Sequence, residues 1–219
     1  MLKAVLMDFD GVIVDTESVW YEIYQEWLRK NYQYELTIQD YLTCVGANST
    51  HLFHFLENEL STTIDQNQFD QDSKDEFIKK SSSLPLMDGV ISFIKDVKEV
   101  PLKLSIATSA TLKKPFYHLK RHHLLDEFDT ITSAELVTKI KPAPDLFLKS
   151  AEILGVKPSE CLVIEDSKNG MLAAQAAGMK CIFVPNKITT HEQVNNELYI
   201  MKVQSLKDIN INYLLNEFK

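Results

Sequence analysis

"LMDFDGVIVDTE", residues 6–17, ends an apolar run with two aspartates that are two positions apart, and a third follows at position 15. Buried strands do not normally end in paired carboxylates, because the two charges repel one another and lose hydration. A simple turn after the strand is the alternative. The stretch predicts a buried strand that delivers Asp8 and Asp10 side by side, provided that the strand stays extended.

Similar apolar runs recur along the chain. They are continuously apolar rather than alternating, which is typical of a parallel sheet that helices cover on both faces. We expect strands at 3–9, 102–108, 128–133, 161–165, 180–185 and 199–203. From about residue 84 onward helical patterns lie between them, at 89–100, 143–156 and 168–179. This alternation predicts a doubly wound α/β fold.

One long segment interrupts the alternation. Its first part, "ESVWYEIYQEWLRKN", spaces its apolar residues for one face of a helix. Helical patterns also cover 50–60 and 67–83, and no strand pattern occurs between them. We therefore predict an all-helical domain at 16–83, inserted into a core domain formed by 1–15 and 84–219.

The composition narrows the class of protein. The 219 residues are 45% hydrophobic and 25% charged, which is ordinary for a globular protein. A formal net charge of −8 argues against a binder of nucleic acid or anionic membranes. No apolar stretch is long enough to span a membrane, and the start "MLKAVLMDFD" reaches carboxylates too soon for a signal peptide. We expect a cytoplasmic protein, as a monomer or weak homodimer, without nucleic-acid or membrane partners.

Polar side chains gather at one edge of the predicted sheet, because ligands of open parallel sheets bind outside the carboxyl ends of the strands. Besides the first two aspartates, this edge receives two hydroxyls, a lysine and two carboxylates: Thr108, Ser109, Lys141, Glu165 and Asp166. Each has an ordinary alternative, as a helix cap or a solvated lysine. Their joint occurrence in this order favours one functional site.

These carboxylates, hydroxyls and lysine limit the kinds of reaction that the site could catalyse. Clustered carboxylates repel one another unless a cation relieves them, and Mg²⁺ prefers carboxylate oxygens together with phosphate. A carboxylate can also attack phosphorus to give an aspartyl-phosphate, while a second carboxyl group carries the proton. The residues therefore predict phosphoryl transfer with a divalent cation.

These residues resemble the haloacid dehalogenase superfamily over essentially the whole chain. "DFDGVIVDTE" resembles its first motif, "ATS" the second, the lysine of "KPAPDLF" the third and "IEDSKNG" the fourth. The resemblance implies a Rossmann-like core with a mobile helical cap inserted just after the first motif, which agrees with the predicted insert.

The resemblance also implies roles for individual residues. Asp8 would be the nucleophile and Asp10 the general acid and base. Mg²⁺ would be bound by Asp8, the backbone carbonyl of Asp10 and Asp166, with Glu165 in support. Thr108 and Lys141 would hold the phosphoryl group, helped by backbone N–H groups near Gly11 and Ser109.

The acceptor of the phosphoryl group separates the subclasses. True dehalogenases of this superfamily lack the second aspartate, so Asp10 favours phosphoryl transfer. The β-phosphoglucomutases, which look closely similar, carry a histidine where this chain has Trp20, and a cap arginine where it has Asn48 and Ser49. Trp20, Tyr24 and the 45–51 turn, which contains Asn48 and Ser49, are the predicted cap contacts with substrate. Packing of the aromatic side chains in the core of the cap is the alternative.

Three functions follow from this comparison. The leading one is a Mg²⁺-dependent phosphatase of a small phosphorylated metabolite, with a sugar phosphate as the preferred class. The alternatives are a phosphosugar mutase similar to β-phosphoglucomutase, and a non-catalytic binding protein on the same fold. The presence of every motif residue counts against the last of these.

Overall fold

A computed structural model describes residues 1–47 and 49–217. Its centre is a parallel sheet with the strand order β3-β2-β1-β4-β5-β6. The strands are β1 (Ala4–Met7), β2 (Lys103–Ala107), β3 (Thr130–Thr132), β4 (Cys161–Glu165), β5 (Lys180–Phe183) and β6 (Met201–Lys202). All six predicted strands are confirmed, and β1 lies at the middle of the sheet.

Nine α-helices occur in the described residues. They are α1 (Thr16–Tyr32), α2 (Ile38–Tyr41), α3 (Thr50–Leu60), α4 (Gln66–Ser81), α5 (Val90–Lys98), α6 (Lys113–Arg121), α7 (Asp145–Leu154), α8 (Lys168–Ala176) and α9 (Ile211–Glu217). Within the described part of the chain, none of them is long and apolar enough to cross a membrane.

Helices cover both faces of the sheet, which explains why the strands are continuously apolar. Val5 and Met7 of β1 belong to one core, together with side chains of α5, α6 and α9. Ala4 and Leu6 belong to a second core, together with α7 and α8. Because successive side chains of a strand point to opposite faces of the sheet, the side chains on both faces of β1 are buried. The predicted doubly wound α/β class is confirmed.

The helical insert has its own core. Helices α1–α4 lie within 16–83 and pack around aromatic side chains. Tyr24 is stacked on Phe69, with ring centroids 4.4 Å apart. The chain rejoins the sheet where the Met87 N–H donates to the Ile13 carbonyl at 2.9 Å. The division into two domains at these bounds stays a prediction.

Helix α6 was not predicted from the sequence. Its buried face consists of Pro115, His118 and Leu119. A proline is tolerated in the first turn of a helix, but a buried histidine and a proline do not give a recognisable apolar stripe. The helix matters because its first turn carries Lys114 to the edge of the sheet where β1 ends.

Candidate active site

The chain turns sharply after β1. The strand ends at Met7, and the Gly11 N–H donates to the Val14 carbonyl at 2.8 Å. Gly11 has φ of +79°, and a Cβ there would overlap side chains that follow β4 and β5. The strand does not stay extended through both aspartates, so the condition for their side-by-side placement is not met, and the turn gives Asp8 and Asp10 different surroundings. The role predicted for the Gly11 N–H in phosphoryl binding stays a prediction.

Asp8 belongs to a buried charged cluster with Lys141 and Glu165. Lys141 precedes α7; its ammonium contacts Asp8 Oδ1 and donates to Glu165 Oε1 at 2.7 Å. The ring centroid of Phe147 lies 4.9 Å from Lys141 Nζ. Burial works against the charged form of Lys141, but the two carboxylates outweigh burial and raise its pKa above the usual value. Lys141 is therefore a fixed ammonium between two carboxylates.

The residues that follow β4 complete the cluster. Glu165 Oε2 accepts hydrogen bonds from the N–H groups of Asp166 and Ser167, at 3.1 and 3.2 Å, and from the Ser167 hydroxyl at 3.0 Å. Asp166 Oδ2 accepts from the Asn186 amide at 2.7 Å. Asn186 is itself held by two backbone N–H groups of the turn after β5. Both carboxylates are therefore fixed in direction.

This cluster fits a divalent metal ion. Carboxylate oxygens of Asp8, Glu165 and Asp166 lie within 4.8 Å of one another. Burial raises the pKa of Asp8 to about 8; Lys141 opposes the rise, and the charges of Glu165 and Asp10 add to it. Burial and neighbouring carboxylates also raise the pKa of Asp166. When all three carboxyl groups are ionised, their charge exceeds that of Lys141 by two, and a hard divalent cation would offset this excess.

Asp10 faces a different cation. Lys114 donates to Asp10 Oδ1 at 2.7 Å, and the Thr16 hydroxyl donates to the same oxygen. Thr108, which follows β2, is fully buried and donates to Asp10 Oδ2 through a long hydrogen bond of 3.5 Å. The structure therefore brings Thr108 to Asp10, while Lys141 lies at the neighbouring aspartate.

A cavity of about 190 Å³ opens beside Asp8 and Asp10, between the sheet edge and the helical insert. Trp20 and Ser49, two of the predicted substrate contacts, lie in its wall, whereas Asn48 lies outside the described residues. The wall also contains Glu17, Tyr24, Tyr41, Ser109 and Lys114. The cavity is the space that a substrate of this site would occupy.

The insert is closed onto the sheet edge through its 42–47 turn. The Ser109 hydroxyl donates to the Gly46 carbonyl at 3.1 Å. The Asn169 amide, in the first turn of α8, donates to the Val45 carbonyl at 2.8 Å. Ser109 is therefore at the cavity as predicted, but its hydroxyl is engaged with the insert. Its predicted role in phosphoryl binding is untested.

Three site residues were missed in the sequence. Asn186 follows β5, so the rule that polar residues gather at strand ends would have found it. Lys114 could not be found without the unpredicted helix α6. Glu17 directly follows the aspartate and threonine that begin α1, and its position there gave no sign that it faces the cavity.

The comparisons with known proteins agree with this geometry. The family model described as haloacid dehalogenase-like hydrolase matches residues 5–184. The "Putative phosphatase YhcW" of Bacillus subtilis is 36% identical over 217 residues, which are 99% of this chain and 97% of that protein. The phosphorylated carbohydrates phosphatase of Thermotoga maritima is 30% identical over 186 residues, 83% of this chain and 84% of that protein.

The solved structures show the same fold. A β-phosphoglucomutase from Clostridium difficile matches with a TM-score of 0.81 over 100% of this chain and 97% of that chain, at 22% identity. At this identity the likeness concerns the fold alone. Since the family model covers most of the chain and its motif residues meet at one edge of the sheet, this protein belongs to the haloacid dehalogenase-like hydrolases.

Proposed function

We propose that this hydrolase is a Mg²⁺-dependent phosphatase that acts on the monophosphate of a small sugar through an aspartyl-phosphate on Asp8. The observation that carries the proposal is the buried cluster of Asp8, Lys141, Glu165 and Asp166, which adjoins a small cavity that also holds Asp10. The names of the Bacillus and Thermotoga relatives support a phosphatase, and the latter name supports a phosphorylated carbohydrate.

The metal would be held by the carboxylates of Asp8 and Asp166 and by the backbone carbonyl of Asp10. Glu165 would support the site from behind, because its oxygens are engaged by Lys141 and by groups that follow β4. When bound, Mg²⁺ would neutralise charge on the phosphoryl oxygens. The choice of Mg²⁺ rests on the all-oxygen character of the donors.

Covalent catalysis would use the two aspartates in turn. A carboxylate oxygen of Asp8 attacks phosphorus, the bond to the sugar oxygen breaks, and that oxygen takes a proton from Asp10. Asp10 then removes a proton from water as the water attacks the phosphorus of the acyl phosphate. Inorganic phosphate leaves and the Asp8 carboxylate is regenerated. Lys141 would balance the negative charge that develops beside Asp8.

The cavity wall supports water as the final acceptor. A mutase must hold a second phosphate at the far end of its substrate, which requires a cation there. Among the described residues of the wall, Lys114 is the cation, and it is already paired with Asp10. Trp20 and Ser49 offer aromatic and hydroxyl groups instead.

The experiment is phosphate release from a panel of sugar monophosphates, with Mg²⁺ or with EDTA. We expect turnover with Mg²⁺, its loss with EDTA, and a loss of about a thousandfold or more in Asp8→Asn. Asp88→Asn, a surface carboxylate paired with Lys207, is the matched control and should keep its activity. Full activity of Asp8→Asn would refute the assigned nucleophile.

Two further measurements separate the alternatives. Conversion of a hexose 1-phosphate to the 6-phosphate faster than free phosphate appears would favour the mutase over the phosphatase. Mg²⁺ should raise the melting temperature of the native protein but not of Asp166→Asn, because the ion stabilises only the state that binds it. An equal rise in both proteins would contradict the assigned metal site.

A further inference from the structure

Glu17 gives the wall of the cavity a fixed carboxylate. It lies in the first turn of α1 and lines the cavity together with Asp10. The Tyr41 hydroxyl donates to Glu17 Oε2 at 2.8 Å, and Tyr41 is itself buried. The hydrogen bond orients the carboxylate while leaving it further capacity to accept, since two oxygens offer about four acceptor positions. Glu17 is thus presented to whatever enters the cavity.

The charges around the cavity leave this carboxylate largely uncompensated. Lys114 is the cation among the described lining residues, and it donates at 2.7 Å to Asp10 rather than to Glu17. Lys141 is paired with the carboxylates of Asp8 and Glu165. Burial and the charge of Asp10 raise the pKa of Glu17 to about 7, although Lys114 opposes the rise. The side chains that line the cavity therefore carry no net positive charge.

The remaining wall is aromatic and hydroxylic. Trp20 is held by stacking on Phe77, with ring centroids 4.2 Å apart. Tyr24 and Ser49 also line the cavity. Such a surface accommodates the C–H groups of a polyol, while hydroxyl groups can bond to the phenols and to Glu17. The volume of about 190 Å³ equals that of about six waters, which restricts the leaving group to a small one.

We propose that Glu17 is a specificity residue that restricts this site to monophosphates of a small polyol whose leaving group carries no second anionic group. The inference rests on the proposed phosphatase function and deepens it. A hydroxyl group of the substrate can donate to the Glu17 carboxylate. A second phosphate or a carboxylate on the substrate is repelled by Glu17. Lys114, the cation that could pair with such a group, is already paired with Asp10.

The test compares kcat/KM for substrates that differ in one charged group. Glucose 6-phosphate carries a neutral leaving group, glucose 1,6-bisphosphate a second phosphate, 6-phosphogluconate a carboxylate and glucosamine 6-phosphate an ammonium. In the native enzyme we expect the neutral and the ammonium substrates to exceed the two acidic ones by about tenfold or more. In Glu17→Gln the preference over the two acidic substrates should fall by about tenfold.

The ratio of kcat/KM between two substrates distinguishes a role of Glu17 in substrate recognition from a general loss of activity. If Glu17 only supported the fold, its loss would lower kcat/KM for all substrates alike and leave the ratios unchanged. Glu22→Gln is the matched control, because Glu22 lies on the same helix, outside the cavity, and pairs with Lys80 on the surface. It removes the same charge from the protein and should leave every ratio as in the native enzyme.

The outcomes are distinct. Unchanged ratios in Glu17→Gln overturn the inference, and so does a native enzyme that prefers an acidic substrate. The native ranking decides the matter even where Glu17→Gln does not fold. Absence of turnover for every monophosphate, including p-nitrophenyl phosphate, overturns the proposed phosphatase function and the inference with it. Turnover with the opposite ranking overturns only the inference.

Discussion

Two aspartates of one short motif have different surroundings. Asp8 contacts the buried ammonium of Lys141, which Glu165 also shares. Asp10 contacts Lys114 near the cavity and two hydroxyl groups. The turn after β1 creates this difference, because both aspartates lie beyond the end of the strand, where the chain changes direction. The proposed function assigns metal binding and attack on phosphorus to Asp8, and proton transfer to Asp10.

The proton role of Asp10 predicts a dependence on the leaving group. Asp10→Asn should lower kcat for sugar monophosphates by about a hundredfold or more, because an alkoxide leaves poorly without a proton. With p-nitrophenyl phosphate the loss in the phosphorylation step should be far smaller, since nitrophenolate leaves unprotonated. Single-turnover release of the leaving group measures that step for both substrates.

Asp15→Asn is the control for this variant. Asp15 lies in the same turn but caps α1, where its carboxylate accepts from the Ser18 N–H at 3.1 Å. Asparagine caps a helix about as well as aspartate, so activity should stay within a few-fold of the native value. Equal losses of Asp10→Asn on both substrates would contradict a proton role.

The start of α8 contacts both the carboxylate cluster and the insert. It begins directly after β4, with Ser167 as its cap: the Ser167 hydroxyl accepts from the Gly170 N–H at 3.1 Å. The same hydroxyl donates to Glu165. The first turn of α8 also carries Asn169, which donates to the insert. One helix start thus connects the carboxylate cluster with the closed insert.

Substitution of Gly170 in α8 by alanine should lower the stability of the protein. A Cβ at this position would overlap the carboxylate of Glu165, which is buried and bound on both sides. Gly170→Ala should lower the free energy of unfolding by about 1–3 kcal/mol through overpacking, although alanine is the better helix former. Urea unfolding of Gly170→Ala and of Gln175→Ala, an exposed change in the same helix, gives the comparison. Unchanged or greater stability in Gly170→Ala would contradict the packing argument.

Substitution of Asn169 by alanine should weaken closure of the insert onto the sheet edge. Asn169→Ala removes the hydrogen bond to the Val45 carbonyl, which is worth about 1 kcal/mol to the closed state. If turnover requires closure, kcat/KM should fall by about fivefold, while global stability changes little. Steady-state kinetics and urea unfolding measure the two effects. Asn212→Ala, an exposed change in α9, should alter neither, and an unchanged kcat/KM in Asn169→Ala would refute the link to closure.

At the scale of the whole molecule, three cores surround the site. Two lie on the faces of the sheet and one within the insert. His118 of α6 is buried against the first of them, with its ring centroid 5.9 Å from that of Phe9. Among the described residues, His118 Nδ1 has no hydrogen-bond partner. The core therefore holds this histidine neutral.

His118 predicts a loss of stability on acidification. Burial, with the nearby charge of Arg121, lowers the pKa of His118 to about 4 from an ordinary 6.5. Between these values the unfolded chain binds more protons than the folded one, so stability falls as the pH drops from 6.5 towards 4. At pH 5 this group should cost about 2 kcal/mol.

Urea unfolding at pH 7 and pH 5 measures this cost. The loss between the two values should be about 2 kcal/mol smaller in His118→Phe than in the native protein. His54→Gln, an exposed histidine of α3, should reproduce the native loss. An equal loss in His118→Phe and the native protein would contradict a buried neutral histidine.

Much of the fold was predictable, because it depends on local patterns. Continuous apolar runs placed all six strands, and polar residues after three of them placed one edge of the sheet as the site. Helix α6 escaped prediction, since Pro115 and His118 conceal its buried face. Lys114 was lost together with that helix. Glu17 was missed for a different reason, because a helix pattern does not tell which neighbour its first turn will face.

The sequence by itself determined the class of fold, the edge of the sheet that carries the chemistry, and the carboxylates and lysine of the buried cluster. Only the tertiary structure decided which cation meets which carboxylate. Lys141 and Asp8 are 133 positions apart, and Lys114 and Asp10 are 104 apart. Such pairs are set by how helices pack on the sheet and on the insert, which no local pattern encodes. The same packing turns Glu17 towards the cavity, where charge determines what the site can accept.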